Sequence, residues 1–382
     1  MFYSILSYIS DSIAHLSCSS STTLAYLDRK PERLPSKWAS HVCQTSSTKT
    51  DADLSVVTPV HFFSHGSTMM LGEETRSADY WKMAGDAALA HNVKGIVIMG
   101  AHWDCKSDHA VQVSMTPNPG KQPVANVAPE KYVDYKLNAD METPKRCIQM
   151  LKDAGINASP KTDMEWIHDI FLIIIRMFPD PKTMPPTTII STNARYDPHF
   201  HVRVGAALRP LRAENYLLIG SGGAVHNLYR NVWYPMLLYK DNLAQPTPPE
   251  PWAMEFRQAF KDVVENNSGP ALRRGLTRLM KHPCYRDAHA TDDHYVPSLF
   301  VAGVVGDEED ADVKGQLKAE DWELTNMCSE CNTNFVSYES LTCVQIRNTP
   351  GVVMSKLALS SPAKGESLKE GQFLYYISSL AR

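Results

Sequence analysis

A short apolar run that ends in glycines and a histidine is the feature that most constrains the fold of this chain. It covers residues 217–228 and reads LLIGSGGAVHNL. Short apolar runs bounded by glycine are typical of buried central strands in α/β sheets. An imidazole just beyond such a strand lies where α/β proteins bind ligands, at the carboxyl end of the strand. The segment predicts a central strand that delivers His226 to a ligand site, although His226 taken alone is equally compatible with a core or helix-capping role.

Two earlier segments have the same character. Residues 56–63 and 95–101 are apolar runs with strand composition, and residues 77–91 between them have the spacing of an amphipathic helix. A strand, a helix and a second strand in this length form a βαβ unit, which implies parallel pairing. The sequence therefore predicts an α/β fold: a single large domain with a mostly parallel central sheet flanked by helices and an active site at the carboxyl ends of the strands.

The remaining pattern extends this prediction along the chain. Residues 1–55 are poorly patterned and are interpreted as a leader, and residues 56–382 as one α/β domain. Further strands are predicted over 187–192, 216–219, 335–345 and 373–377. Helices are predicted over 141–154, 165–178, 201–211, 252–266 and 271–281. Loops are predicted over 111–128 and 234–251, and the acidic segment 306–321 is expected to be a mobile loop.

Composition excludes several classes of function. The chain has 382 residues, a net charge of −4 and no long basic stripe, so a nucleic-acid partner is not expected. No run of about 18 apolar residues exists, so no membrane span is expected either. A cytoplasmic location is predicted, with an organelle presequence in residues 1–55 as the weaker alternative. Cys328 and Cys331 form a CxxC pair without partners at zinc-ligand spacing, and a surface-loop pair is the preferred interpretation.

Histidines at strand ends carry the chemical argument. His65, His102 and His226 each follow an apolar run, and the carboxyl ends of parallel strands meet at one edge of a sheet. His294 lies in a separate segment with acidic neighbours. Four imidazoles that converge at one edge indicate a metal site with a spare group for proton transfer, and neutral imidazole suits Fe, Zn and Cu. Individually, His102 could instead be a core partner of Trp103, and His294 could belong to a helix N-terminus.

At this point the motifs resemble a known family, the DODA-type class III extradiol ring-cleaving dioxygenases. This family includes proteins similar to 4,5-DOPA dioxygenase and is related to the B subunit of protocatechuate 4,5-dioxygenase. The resemblance covers roughly residues 56–350 in the same order. It is carried by SHGS at 64–67, AHW at 101–103, GSGGAVHNL at 220–228 and AHATDDHYVP at 288–297.

The resemblance implies roles for five histidines. It implies that His65, His102 and His294 bind the metal and that His226 is the acid/base beside it. His168 resembles an active-site histidine that the family places in an Asp-His-Gly motif, but here it is flanked by Ile and Asp. Fe(II) is the cofactor expected for activity, and Zn(II) is a second ion that this set could bind.

The resemblance also implies a reaction. A catechol-type aromatic, such as a DOPA-like compound, would be cleaved with O2 to a muconic semialdehyde-type product. Two alternatives use the same residues: a zinc-dependent hydrolase or lyase with His226 as base, and a catalytically inactive relative that acts as a binding protein. A monomer and a homodimer are both compatible with the sequence.

Overall fold

Apolar runs of the sequence form the central strands of an eight-stranded sheet. The computed structural model describes residues 57–308, 310–311 and 313–334. Across the sheet, the strand order is β4-β3-β5-β2-β6-β1-β8-β7. In chain order the strands are β1 (Val60–Ser64), β2 (Gly95–Cys105), β3 (Ala110–Ser114), β4 (Asn157–Lys161), β5 (Thr187–Asn193), β6 (Tyr216–Gly222), β7 (Gly315–Glu323) and β8 (Met327–Asn334).

The four central strands are parallel, which confirms the predicted α/β class. β2 pairs in parallel with both β5 and β6, and β6 pairs in parallel with β1. On one side β8 joins β1 in the antiparallel direction and β7 closes the sheet as a hairpin partner. On the other side β3 is antiparallel to β5 and parallel to β4. The carboxyl ends of β1, β2, β5 and β6 therefore lie at one edge of the sheet.

Helices cover both faces of this sheet. In the described part of the chain they are α1 (Arg76–Ala90), α2 (Thr143–Asp153), α3 (His168–Met177), α4 (Pro198–Leu208), α5 (Tyr234–Tyr239), α6 (Pro251–Asn266), α7 (Gly269–Leu279), α8 (Tyr285–Ala288) and α9 (Val296–Val304). Side chains alternate along β2, so Val97 and Met99 pack into one core layer and Ile96 and Ile98 into the other. Burial on both faces explains why the central strands read as continuous apolar runs.

Two of the predicted loops contain regular structure. Residues 111–128 begin within β3, and residues 234–251 contain the short helix α5. The neighbouring strand β4 has the sequence NASPK and buries only Ala158, so it carries no apolar run that could have revealed it. β3 and β4 form because the sheet offers them a pairing partner, which local sequence pattern does not record.

The acidic segment 306–321 is the largest departure from expectation. Instead of a mobile loop, its second half is β7, and Asp310 is buried against Arg212 with an Oδ2–Nη1 distance of 2.5 Å. The CxxC pair is also misassigned, because Cys328 and Cys331 are 1% and 0% exposed within β8. Charged residues here are buried in pairs or bonded to backbone, which a composition argument cannot detect.

Three predictions fall on residues outside the described ranges: the leader 1–55 and the strands at 335–345 and 373–377. Within residues 57–334, where the structure is described, no helix has the length and apolar character needed to cross a membrane.

Candidate metal centre

Five histidine rings meet where the parallel strands end. His65 follows β1 directly, His168 is the first residue of α3, and His226 lies four residues beyond β6. His294 lies two residues before α9. His102 lies inside β2, which extends further than the predicted 95–101, so it is part of the strand and does not follow it. The register of β2 on β5 shifts between Met99 and Asp104, and this irregular stretch carries the His102 ring.

The three histidines predicted as ligands lie close together. Ring centroids are 5.3 Å apart for His65 and His102, 5.1 Å for His65 and His294, and 4.7 Å for His102 and His294. Two sets of ligand atoms lie within 4.8 Å of one another, and both include His102. One set adds His65 and His168, and the other adds Asp293 and His294. His168 and Asp293 are thus further donors beside the predicted three.

A serine fixes the proton of His65. The Ser221 hydroxyl donates to the backbone oxygen of Asp169 at 2.6 Å and lies 3.1 Å from His65 Nδ1. A hydroxyl has one hydrogen, so towards the ring Ser221 acts as acceptor and Nδ1 carries the imidazole proton. The Nε2 lone pair of His65 is then free, and this atom is buried without a hydrogen-bond partner. Such a partner on the other ring nitrogen is the usual arrangement for a metal-binding histidine.

Asp169 shapes the irregular part of β2. Its Oδ2 accepts the backbone N–H groups of Ala101 and His102 at 2.7 and 3.0 Å, and the residue is 1% exposed. Charge-assisted bonds of this kind are about twice as strong as neutral ones. Because Asp169 also accepts from Ser221 through its backbone oxygen, it links β2, which carries His102, to β6, whose Ser221 orients the His65 ring.

His226 and His294 form a stacked pair. Their centroids are 3.5 Å apart with an interplanar angle of 10°, and His294 Nδ1 lies 3.0 Å from Asp293 Oδ2. The backbone before α9 reaches the end of β6, where Gly223 N–H donates to the His294 oxygen at 2.9 Å. A Cβ at Gly222 would overlap that same oxygen, so this approach requires glycine.

Burial lowers the pKa of four of the five histidines in the cluster. It lowers the pKa of His65 and of His226 well below the usual 6.5, and repulsion from His294 adds to the effect on both. Burial also lowers the pKa of His102 to about 3, against the opposing charge of Asp169. The pKa of His168 is lowered for the same reason. Neutral rings present lone pairs, which is the form that binds metal.

The donor set fits a metal ion. His65, His102 and His294 each have a buried Nε2 with no hydrogen-bond partner among the described residues. Buried polar atoms without partners are uncommon, and these three belong to rings whose centroids lie 4.7–5.3 Å apart, which indicates a site for a ligand. Three imidazoles suit Fe(II), Zn(II) or Cu(II) and leave coordination positions for other molecules.

An open cleft lies at Asp292, and none of the five clustered histidines lines it. It has a volume of about 560 Å³ and is lined by residues that include Arg195, Tyr196 and Asp292, the last being adjacent to Asp293. Its size is in the range of small-molecule sites. Tyr295 is buried in the core and donates to the Leu276 oxygen at 2.7 Å.

Sequence reasoning missed the residues that support the histidines. Ser221 was visible only as part of a glycine-rich turn, and Asp169 and Asp293 only as neighbours of His168 and His294. A signal existed for the two aspartates, because each directly adjoins a singled-out histidine. By contrast, His61 was assigned a packing or solvent role, and it is buried with its ring stacked on Phe63 at 5.1 Å.

Comparison with known proteins agrees with this geometry. Residues 59–335 match the family model described as the catalytic LigB subunit of aromatic ring-opening dioxygenase. The 4,5-DOPA dioxygenase extradiol of Escherichia coli K12 is 25% identical over 255 residues, covering 66% of this chain and 86% of the relative. A protein of the same name from Beta vulgaris is 24% identical over 265 residues, covering 66% and 88%. Dioxygenase tasH of Hapsidospora irregularis is 27% identical over 227 residues, covering 56% and 65%.

A solved structure shares the fold. The crystal structure of an uncharacterized protein from Escherichia coli K12 superposes with a TM-score of 0.56 at 20% identity, covering 72% of this chain and 98% of the other. The family match spans well over half of the chain and includes all five histidines of the cluster. The resemblance found in the sequence is therefore confirmed, and the chain belongs to the family of the catalytic LigB subunit of aromatic ring-opening dioxygenases.

Proposed function

We propose that this chain is an extradiol dioxygenase that cleaves the ring of a catechol-type aromatic with O2 and gives a muconic semialdehyde-type product. The observation that carries the proposal is the set of three buried, unpartnered Nε2 atoms on His65, His102 and His294. Relatives named 4,5-DOPA dioxygenase extradiol make a DOPA-like catechol the first substrate to examine.

Fe(II) is the ion proposed for this site, with Zn(II) as an inactive substitute. His65, His102 and His294 would hold it, because each has a buried Nε2 without a hydrogen-bond partner among the described residues and Ser221 already orients the first of them. When bound, the ion lowers the pKa of a phenol that binds to it and provides adjacent positions for both substrates.

His226 is proposed to move the proton. Its ring is neutral because burial lowers its pKa, so it can accept a proton from the second phenol group and later return it. It stacks on His294, which places it beside the proposed ligands. His168, whose ring centroid is 4.5 Å from that of His102, is proposed to donate a hydrogen bond to negative charge that develops on oxygen.

Anaerobic reconstitution with Fe(II), followed by oxygen uptake with DOPA, caffeate and simple catechols, tests the reaction. We expect uptake coupled to a new absorbance from the ring-opened product, and none with Zn(II) alone. Activity that persists with Zn(II) and without oxygen uptake would favour the hydrolase or lyase alternative. A protein that binds no metal would favour the binding alternative.

Three variants separate the proposed roles. His226→Ala is expected to keep its metal and lose turnover by about 10²–10⁴-fold, the usual contribution of an acid/base group. His294→Ala is expected to lose metal, and His168→Ala to keep it. Metal content measured on all three proteins checks the assignment, and retention by His294→Ala with loss by His168→Ala would assign the third ligand to His168.

A further inference from the structure

The turn that carries His65 is held by a buried carboxylate from the distant β7–β8 hairpin. Glu323 is the last residue of β7 and is 0% exposed. The backbone N–H of Ser67 donates to both of its oxygens, at 3.1 and 3.2 Å. The Ser329 hydroxyl donates to Oε1 at 2.7 Å, and Asn242 Nδ2 donates to Oε2 at 2.5 Å.

The turn is shaped to receive this carboxylate. Gly66 has φ +69°, and a Cβ there would overlap Glu323 Oε1 and Ser329 Oγ. Only glycine therefore lets the backbone approach the carboxylate so closely. On the opposite side, the His65 N–H donates to the Gly222 oxygen at 3.1 Å. His65 is thus fixed by the β6 end on one side and by Glu323 on the other.

A buried carboxylate is energetically unfavourable unless hydrogen bonds compensate its charge. Burial of a charge is unfavourable and raises the pKa of Glu323, and its donors from three separate segments offset that cost. Asn242 also donates to the Ser67 hydroxyl at 3.2 Å, so both Glu323 and Asn242 hold the turn by hydrogen bonds to Ser67. The hydrogen bonds of Glu323 therefore join the hairpin to Ser67, close to His65, and do not stabilise the hairpin alone.

We propose that Glu323 is a positioning residue for the metal centre: it fixes the Gly66–Ser67 turn and so the direction in which His65 presents Nε2. This inference rests on the proposed function, since it takes His65 as a metal ligand. It assigns a role in the site to the β7–β8 hairpin, none of whose residues belongs to the histidine cluster.

Glu323→Gln is the main test. The substitution keeps size and shape but replaces one accepting oxygen with an NH2 group, which would face the N–H of Ser67 or the amide of Asn242. Loss of a partner that orients a ligand commonly lowers metal affinity by about 10–100-fold. We expect the Kd for Co(II), measured by competition with a chromophoric chelator, to rise by that factor. Adding Asn242→Asp restores a donor–acceptor pair across this contact and should recover part of the affinity.

Glu330→Gln is the matched control. Glu330 is also 0% exposed in the same hairpin, but its side chain points to the opposite face from that of the adjacent Ser329, which donates to Glu323, and it lies 3.6 Å from Arg257 Nε on α6. This variant is expected to change thermal stability and leave the Kd for Co(II) within about twofold. A purely structural role of Glu323 would give both variants the same behaviour.

The outcomes distinguish failure of the positioning role from failure of the proposed function. Weaker Co(II) binding in Glu323→Gln alone, with partial recovery in the double variant, supports the positioning role. Wild-type binding that Glu323→Gln leaves unchanged overturns that role while the proposed function stands. A wild-type protein that binds no Co(II) or Fe(II) overturns both.

Discussion

Replacement of Ser221 by Ala removes a single oxygen atom that orients a proposed metal ligand. In the wild type this hydroxyl accepts from His65 Nδ1 and donates to the Asp169 oxygen, and it is 0% exposed. Without this hydroxyl, the Nδ1–H of His65 has no acceptor, so the tautomer with the proton on Nδ1 is no longer favoured. The population of rings with a free Nε2 lone pair therefore falls, and so does metal affinity.

The magnitude follows from the two bonds that are lost. A buried donor or acceptor left unpaired costs about 1–3 kcal/mol, so we expect Ser221→Ala to lower the free energy of unfolding of the metal-free protein by about that amount. For the metal, loss of an orienting partner corresponds to about 10–100-fold in Kd. This factor equals roughly 1.4–2.8 kcal/mol of binding free energy.

Urea unfolding and a chelator competition with Co(II) measure the two quantities separately. Ser191→Ala is the control, because Ser191 is also 0% exposed in the sheet and its hydroxyl accepts from Gln112 N–H at 2.8 Å without contacting a histidine. Both variants should be destabilised, and only Ser221→Ala should bind metal more weakly. If the two variants bound Co(II) equally well, the tautomer argument for His65 would be wrong.

Three further predictions concern packing and charge. Gly222→Ala places a methyl group against the His294 oxygen, so we expect a loss of about 1–3 kcal/mol in urea unfolding and weaker metal binding; unchanged values would mean that the segment before α9 can shift freely. Asp310→Ala leaves the buried Arg212 charge unpaired and should lower the free energy of unfolding by about 3–5 kcal/mol, while a loss below 1 kcal/mol would show that water reaches the pair. Burial lowers the pKa of His61 to about 3, so the unfolded chain binds a proton that the folded chain does not. Stability should fall as pH drops below about 6.5, by about 2 kcal/mol from this residue between pH 6.5 and 5, and unfolding curves that show a rise there would contradict the assignment.

The sequence predicted the centre of the fold well and its margins poorly. The strands β1, β2, β5 and β6 are buried on both faces, so their apolar runs and the intervening helical spacing carry the topology. The outer strands β3, β4, β7 and β8 are polar or charged over much of their length. Their pairing depends on neighbours distant in the chain, which periodicity within a short window does not register.

In the candidate site, the sequence likewise revealed the histidines but not the residues that orient them. His65, His102 and His226 were recognisable at the ends of apolar runs because parallel strands bring their carboxyl ends together. His294 was singled out in a separate segment and His168 only through the family resemblance, and the structure brings all five rings together. Their individual roles remain predictions. Ser221, Asp169 and Glu323 could not be found this way, because each acts through a hydrogen bond to a residue more than 50 positions away or to backbone. Serine and glutamate at such positions look like ordinary solvent-facing residues until the fold is known.

Because β8 pairs with β1 in the antiparallel direction, the β7–β8 hairpin also covers what would otherwise be an unpaired edge of β1. β1 ends at Ser64, and without β8 its backbone N–H and C=O groups would form an unpaired edge of the sheet that faces water. Exposed, flat and apolar edges of this kind template association with other chains. A chain truncated before residue 313 is therefore expected to aggregate more readily than the full chain, which light scattering of the two proteins would measure.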